Sequence, residues 1–382
     1  MFHININLSK VLLFLFFVVV FLLTRQIPFS NLSILSNVSL LFMMFYMRNL
    51  RKDSLYFIYG ILLLIAYSLI MENNVSNVIR FAVILFFVQA AYYIRIPEKC
   101  LKILVYTALI QCVLILLFEF YLMFFANFTQ ARAIRLFFLS KEWGDVYSFN
   151  RFFYKIQLKG NAILPYVYML LYSTKEIFDR KTKYLKILFF LAIICTGQFA
   201  FYLSLFLFHI LKYIIFSRDI LSRIKRLYLL AFVGFLSSGA LLSYIHNVIE
   251  MKADMSNATR IDQIQVLMQD MCLTPLHFLF GTGLGHTLSI KTSLRDYTDL
   301  LYYELQSVYF LNQLGFLFFF IWIFYILYLT CKRILYKDLL LIYALYILYA
   351  ITNPYIFDTN HVVVILTLCS LSDYRRKNYL KR

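Results

Sequence analysis

The chain has 382 residues, of which 62% are apolar and only 15% charged, against about 25% charged in an ordinary soluble domain. That balance excludes a soluble enzyme, a disordered chain and a disulfide scaffold, and it describes an all-α polytopic integral membrane protein. A net charge of +18 in a soluble chain would suggest nucleic acid; here no nucleic-acid partner is expected, because cytoplasmic loops of membrane proteins collect Lys and Arg anyway.

The first apolar run covers residues 5–23 and stays apolar from Val11 to Leu23. Transmembrane barrels alternate polar and apolar positions, so this continuity excludes one. The run has Lys10 near its start, as a signal peptide would, but Thr24-Arg25-Gln26 is a poor cleavage site. It is read as a retained span. Further spans of the required length are predicted at 31–47, 54–71, 78–94, 101–126, 160–174, 227–246 and 305–330. Residues 183–216 and 338–372 each read as a helical pair, broken at Thr196-Gly197-Gln198 and at Asn353-Pro354. The expectation is about twelve transmembrane helices forming a single transmembrane domain over 1–382. One set of connecting segments then holds 25 of the 37 Lys and Arg, which puts both termini in the cytoplasm. A single helix across 183–216 would invert everything after it. Two short segments meeting at Gly197 are preferred, since broken helices are tolerated where they line a buried or wet cavity.

Two long links fall on the external side, at 127–159 and 247–304. They carry ten of the twelve external cations: Arg132, Arg135, Lys141, Arg151, Lys155, Lys159, Lys252, Arg260, Lys291 and Arg295. Such an excess calls for an anionic partner, although longer loops also escape the charge rule. A guanidinium offers phosphate a fixed two-pronged fork, and Arg151, Arg260 and Arg295 are the candidates. Arg260 opens an amphipathic stretch with Ile261, Ile264 and Met268 on one face, suited to lying on a membrane surface. Further on, Gly281, Gly283 and Gly285 fall within Phe280-Gly281-Thr282-Gly283-Leu284-Gly285-His286. The segment lacks the spacing of a nucleotide-binding loop. It reads either as a backbone cradle for an anion or as a tight turn returning the loop to the membrane. The six cysteines show no metal spacing, and neither a disulfide, a metal nor a cofactor is expected.

These features together resemble the Wzy-type O-antigen polymerases, and more loosely the O-antigen ligases. The likeness rests on the many-span architecture, the late external loop, Arg260 upstream of the Leu279–Gly285 turn, and the Glu304–Gly315 segment that opens the next span. Gln198 stands where the family's break often carries Arg, and Arg151 before Gly160-Asn161 departs from the commonest spacing. The resemblance implies a multi-pass glycosyltransferase of the bacterial inner membrane with two large periplasmic loops. It would join undecaprenyl-pyrophosphate-linked oligosaccharides at the periplasmic face, in contact with membrane lipid and with a possible chain-length regulator as partner. Arginines aimed at the leaving phosphate would stabilise the charge that develops there, without a metal. The acceptor hydroxyl would need a base or orienting acceptor, for which Glu304 and His286 are the candidates; Glu304 also suits a helix N-terminus. Glu119, an acid inside the fifth span, reads either as a functional group, the default for an intramembrane acid, or as a partner for a neighbouring helix. Asp358 and His361 are expected in the short loop after Pro354. Tyr297, Tyr302 and Tyr303 could stack on sugars or anchor at the interface. The alternatives are a ligase, a capsule or exopolysaccharide polymerase, and, in a different class, a flippase for the same lipid-linked units.

Overall fold

The computed structural model describes residues 11, 52–141, 144–150, 153–158, 160–174, 182–215, 221–229, 258–291, 296–301, 303, 305–351, 353 and 355–379. The expected spans 5–23 and 31–47, and most of 227–246, lie outside them. What is described is mostly helical.

Helices α1 (Lys52–Ile70) and α2 (Val75–Ala91) form an antiparallel pair. Glu72, at a left-handed φ of 60°, makes the turn. The Asn74 side chain then caps α2 by accepting from the Ser76 N–H at 3.0 Å. Helix α3 (Glu98–Phe124) has a buried stripe of Leu101, Leu104, Ala108, Cys112, Ile115, Glu119 and Leu122. That spacing of three and four is one helix face. Its other face exposes Tyr106, Ile110, Leu114, Leu117 and Phe124, apolar bulk that water disfavours and a bilayer accommodates. The portion Cys100–Phe124 is long and apolar enough to cross a membrane, and so is α10 (Gln306–Arg333).

The first long link is not a bare loop. It holds α4 (Phe128–Ser140) and a β-hairpin, β1 (Gly144–Asn150) with β2 (Phe153–Leu158), paired antiparallel from Gly144 opposite Leu158 to Tyr147 opposite Lys155. This hairpin is the departure from an all-α chain. Asn127 starts α4 with a reciprocal cap, its side chain accepting from Gln130 N–H while Gln130 accepts from the Asn127 N–H. Arg135 of α4 grips Asp145 of β1 through two bonds of 2.8 and 3.1 Å. One cation of the external excess therefore has its anion within the chain.

Helix α5 (Ile163–Ser173) occupies most of the expected segment 160–174, after a turn at 160–162. It is buried among α3, α6, α7 and α11. The pair expected over 183–216 is present as α6 (Thr182–Thr196) and α7 (Phe199–Ile215), broken at Gly197 with φ +64°. Residues 221–229 are helical as well.

The second long link contains α8 (Ala258–Met271) and α9 (Pro275–Phe280), both packed on α10. Helix α8 turns Thr259, Gln263, Leu267 and Met271 inward and leaves Ile261 and Ile264 exposed. Helix α10 bends at Gly315, φ 65°. Helices α11 (Lys337–Ile351) and α12 (Thr359–Tyr379) complete the bundle on either side of the expected break.

Between apolar helices in lipid, polar contacts add of the order of 0.6–2 kcal/mol each. Tyr92 of α2 meets Thr330 of α10 at 2.7 Å, Tyr166 of α5 meets Thr367 of α12, and Tyr343 of α11 meets His361 of α12 at 2.9 Å. At one end of the bundle Arg375 binds Asp338 at 2.8 Å and the Ser173 carbonyl, while Arg95 binds Asp373 at 2.8 Å. The ends of α5 and α12, the start of α11 and the segment after α2 therefore meet on one side.

Candidate functional site

Two polar clusters stand out, one around the glycine turn and one at the break between α6 and α7.

The glycine turn is a docking element. Thr282 N–H donates to the Asn312 carbonyl (3.0 Å) and Gly283 N–H to the Gln313 carbonyl (3.1 Å). Leu284 N–H donates to Ser68 Oγ (2.7 Å), and Gly285 N–H to Gln313 Oε1 (3.3 Å). The donors that an anion would need are engaged inside the protein, which corrects the cradle reading of Gly281, Gly283 and Gly285. A Cβ on Gly281 would sit 2.2 Å from the Gln313 carbonyl oxygen, and one on Gly315 would sit 2.2 Å from the Gly281 nitrogen. Two backbones touch there, and the bend in α10 is what admits the turn.

His286, next along, is held on both sides. Its Nε2 lies 3.3 Å from Asp270 Oδ2 of α8, and its Nδ1 lies 3.4 Å from Asn73 Oδ1. Asn73 donates through its amide to the Thr282 carbonyl at 2.9 Å, which turns its oxygen toward the ring. Asn312 Nδ2 reaches the same Asp270 oxygen at 2.8 Å. Burial alone would raise the Asp270 carboxyl; the His286 and Asn312 contacts outweigh it and hold the carboxyl below its usual range. Tyr309 donates to the His286 carbonyl. His286 thus sits between Asp270 of α8 and Asn73 of the α1–α2 turn, with its Nε2 near Asp270 but without a hydrogen bond of good geometry among the described residues. Tyr297 and Tyr303 are stacked on one another, 2% and 0% exposed, so neither offers a face to a sugar.

Arg260 lies in the first turn of α8. Ten residues of helix separate it from Asp270, a rise of about 15 Å, so it is at the far end of α8 from the His286 cluster. Arg151, Arg295, Glu304 and Tyr302 lie outside the described residues.

The second cluster is built where strand β2 packs between α3 and α6. Glu119, 5% exposed, accepts from the Tyr154 N–H through Oε1 at 2.9 Å. Its Oε2 is buried with no hydrogen-bond partner among the described residues. Lys155, the next residue of the strand, is 8% exposed. Its methylenes run directly over Gly197, where a Cβ would fall 2.3 Å from Lys155 Cγ. Its ammonium lies 5.4 Å from the Tyr147 ring centroid. Gln198, just past the break, donates to Tyr355 Oη at 3.4 Å, and Asn161 at the entry to α5 accepts from Gln111 at 2.9 Å. A cation of the first long link and an α3 carboxylate thus lie close to a helix break.

Asp358 and His361 are structural. Asp358, fully buried, accepts from the Asn360 N–H at 2.8 Å and from the His361 N–H at 3.4 Å, an N-cap for α12. His361 lies inside α12, not in the loop, with Nδ1 2.7 Å from the Ile356 carbonyl. Sequence reading missed Asp270, Asn312 and Asn73. Asn312-Gln313 inside an apolar run was the one available signal for their cluster. Lys155 was visible only as one cation among ten.

No family model, no curated protein and no solved structure matches the chain.

Proposed function

We propose that this chain is a multi-pass membrane glycosyltransferase of the Wzy type, joining oligosaccharides carried on undecaprenyl pyrophosphate at the outer face of a bacterial inner membrane. The observation that carries the reading is the folding of the first outer loop back into the bundle, with Lys155 buried over the Gly197 break and Glu119 bound to the residue before it. Lipid-exposed irregular backbone is excluded from hydrocarbon, so a break of this kind belongs to a protein-lined cavity. The meeting of the α5, α11 and α12 ends on one side agrees with the charge sorting that puts both termini in the cytoplasm.

In this reading the donor is already activated by its pyrophosphate. The acceptor hydroxyl attacks the anomeric carbon, the bond to phosphate breaks, and the diphosphate leaves with the electron pair. Cations aimed at the leaving oxygens lower that barrier. Arg260 and Lys155 take that role, together with Arg151 and Arg295, the other guanidinium candidates of the two long links. The exposed Ile261 and Ile264 of α8 rest on the membrane surface and hold the outer helix at headgroup level. A chain-length regulator is the protein partner that the family resemblance suggests.

A strain lacking the chain tests the proposal. Its lipopolysaccharide should carry core plus a single repeat unit, and complementation with Arg260→Ala should fail although the protein is made. Loss of every unit, including the single one, points instead to a ligase or a flippase; an unchanged ladder together with lost capsule points to a capsule polymerase.

A further inference from the structure

We infer that Glu119 is the group that takes the proton from the acceptor saccharide's hydroxyl. This rests on the glycosyl-transfer reading and adds to it the base that sequence reading sought at Glu304 and His286.

The argument begins with the helix face. Glu119 lies on the protein-facing stripe of α3, in line with Cys112, Ile115 and Leu122, so it is turned away from the exposed apolar face. A carboxylate so buried accepts several hydrogen bonds where the fold supplies them, as each unmet one costs about 1–3 kcal/mol or more. The fold supplies one, from the Tyr154 N–H at 2.9 Å. That bond fixes the carboxyl group against the strand, while Oε2 has no donor among the described residues. Compare the other acid of this region: Asp358 has local donors for both of its oxygens. Glu119 is oriented by one oxygen and unsatisfied at the other, which is the arrangement a hydroxyl would complete. The neighbouring strand residue, Lys155, belongs to the set of cations that face the leaving phosphate.

The step balances within the proposed reaction. The hydroxyl proton passes to Glu119 Oε2, the hydroxyl oxygen bonds to the anomeric carbon, and the bond from that carbon to the diphosphate oxygen breaks with its electrons. No further reactant is required.

The experiment uses the full chain in proteoliposomes, with lipid-pyrophosphate-linked units extracted from the null strain as substrate. Glu119→Gln should lower kcat by roughly a hundred- to ten-thousand-fold, with KM within about twofold and the acid limb of the kcat profile lost. Glu119→Asp should recover at least about tenfold over Glu119→Gln. Activity of Glu119→Gln within about threefold of the parent overturns the inference and leaves the glycosyl-transfer reading standing. If Glu119→Gln melts at a lower temperature than the parent, Glu119→Asp decides: recovery at the parent's melting temperature supports the base, and activity no better than Glu119→Gln overturns it. A parent chain that joins no units overturns the transfer reading and the base with it.

Discussion

Gly197 and Gly281 both adopt positive φ, +64° and +79°, yet their neighbours differ in kind. At Gly197 an added Cβ meets the methylenes of Lys155, a chain that can swing away at the loss of its buried position. At Gly281 it meets the carbonyl of Gln313, which cannot move without unbending α10. The left-handed conformation alone costs a non-glycine residue about 1–2 kcal/mol. Gly197→Ala is therefore expected to lose about that much plus the displacement of Lys155, and pairing it with Lys155→Ala should return part of the loss. Gly281→Ala should lose more, with no side-chain partner able to restore it. Melting in detergent, read as a double-mutant cycle, checks both; equal losses for the two glycine variants would refute the distinction. That Gly281 needs its freedom was legible in the three-glycine spacing. What it packs against was not, because Gln313 and Gly315 lie in the next span and Ser68 lies more than two hundred residues upstream.

Among the elements, those with long continuous apolar runs were readable. Helices α1, α2, α3 and α10 fall within a few residues of their expected limits, because a run of that length has no other stable form in lipid. The break at Gly197 was readable from the loss of apolar residues there. The hairpin went unread: Val146-Tyr147 and Phe153-Tyr154-Lys155-Ile156 carry strand-forming residues, but the two positions between the strands are Arg151-Phe152 rather than the Asn-Gly or Asp-Gly that announces a hairpin. At the glycine-turn cluster, α8 and the turn are joined through Asp270. Its native carboxyl lies below the usual value, so it favours the docked form fully above the ordinary carboxylate range, and that contribution fades as pH falls through the lower native value. The protection factors of the Thr282 to Gly285 amides, corrected for the slower intrinsic exchange in acid, should fall between about pH 5 and about pH 2. In Asp270→Asn the same amides should exchange faster at pH 5 and change less on acidification. A parent-like pH response in the variant would remove Asp270 from the account.

For the whole molecule, the free cysteines report sidedness. Cys272 after α8 and Cys331 near the end of α10 are exposed, while Cys100, Cys112, Cys195 and Cys369 are buried. If the outer loops and the Arg375 cluster are on opposite sides of the membrane, an impermeant maleimide added to intact cells stripped of their outer membrane should modify Cys272. Cys331 should react only after permeabilisation. Labelling of Cys331 first would invert the topology and end the periplasmic reading. The contacts from Tyr67, Ser68 and Asn73 to Gly281, Leu284 and Thr282 also set a timetable for the ribosome. At about 5–20 residues per second, translation takes some 10–40 seconds to pass from the first group to the second. Through that interval the end of α1 waits with its eventual partners unmade, so the newborn chain needs a stand-in for them until its own late turn arrives.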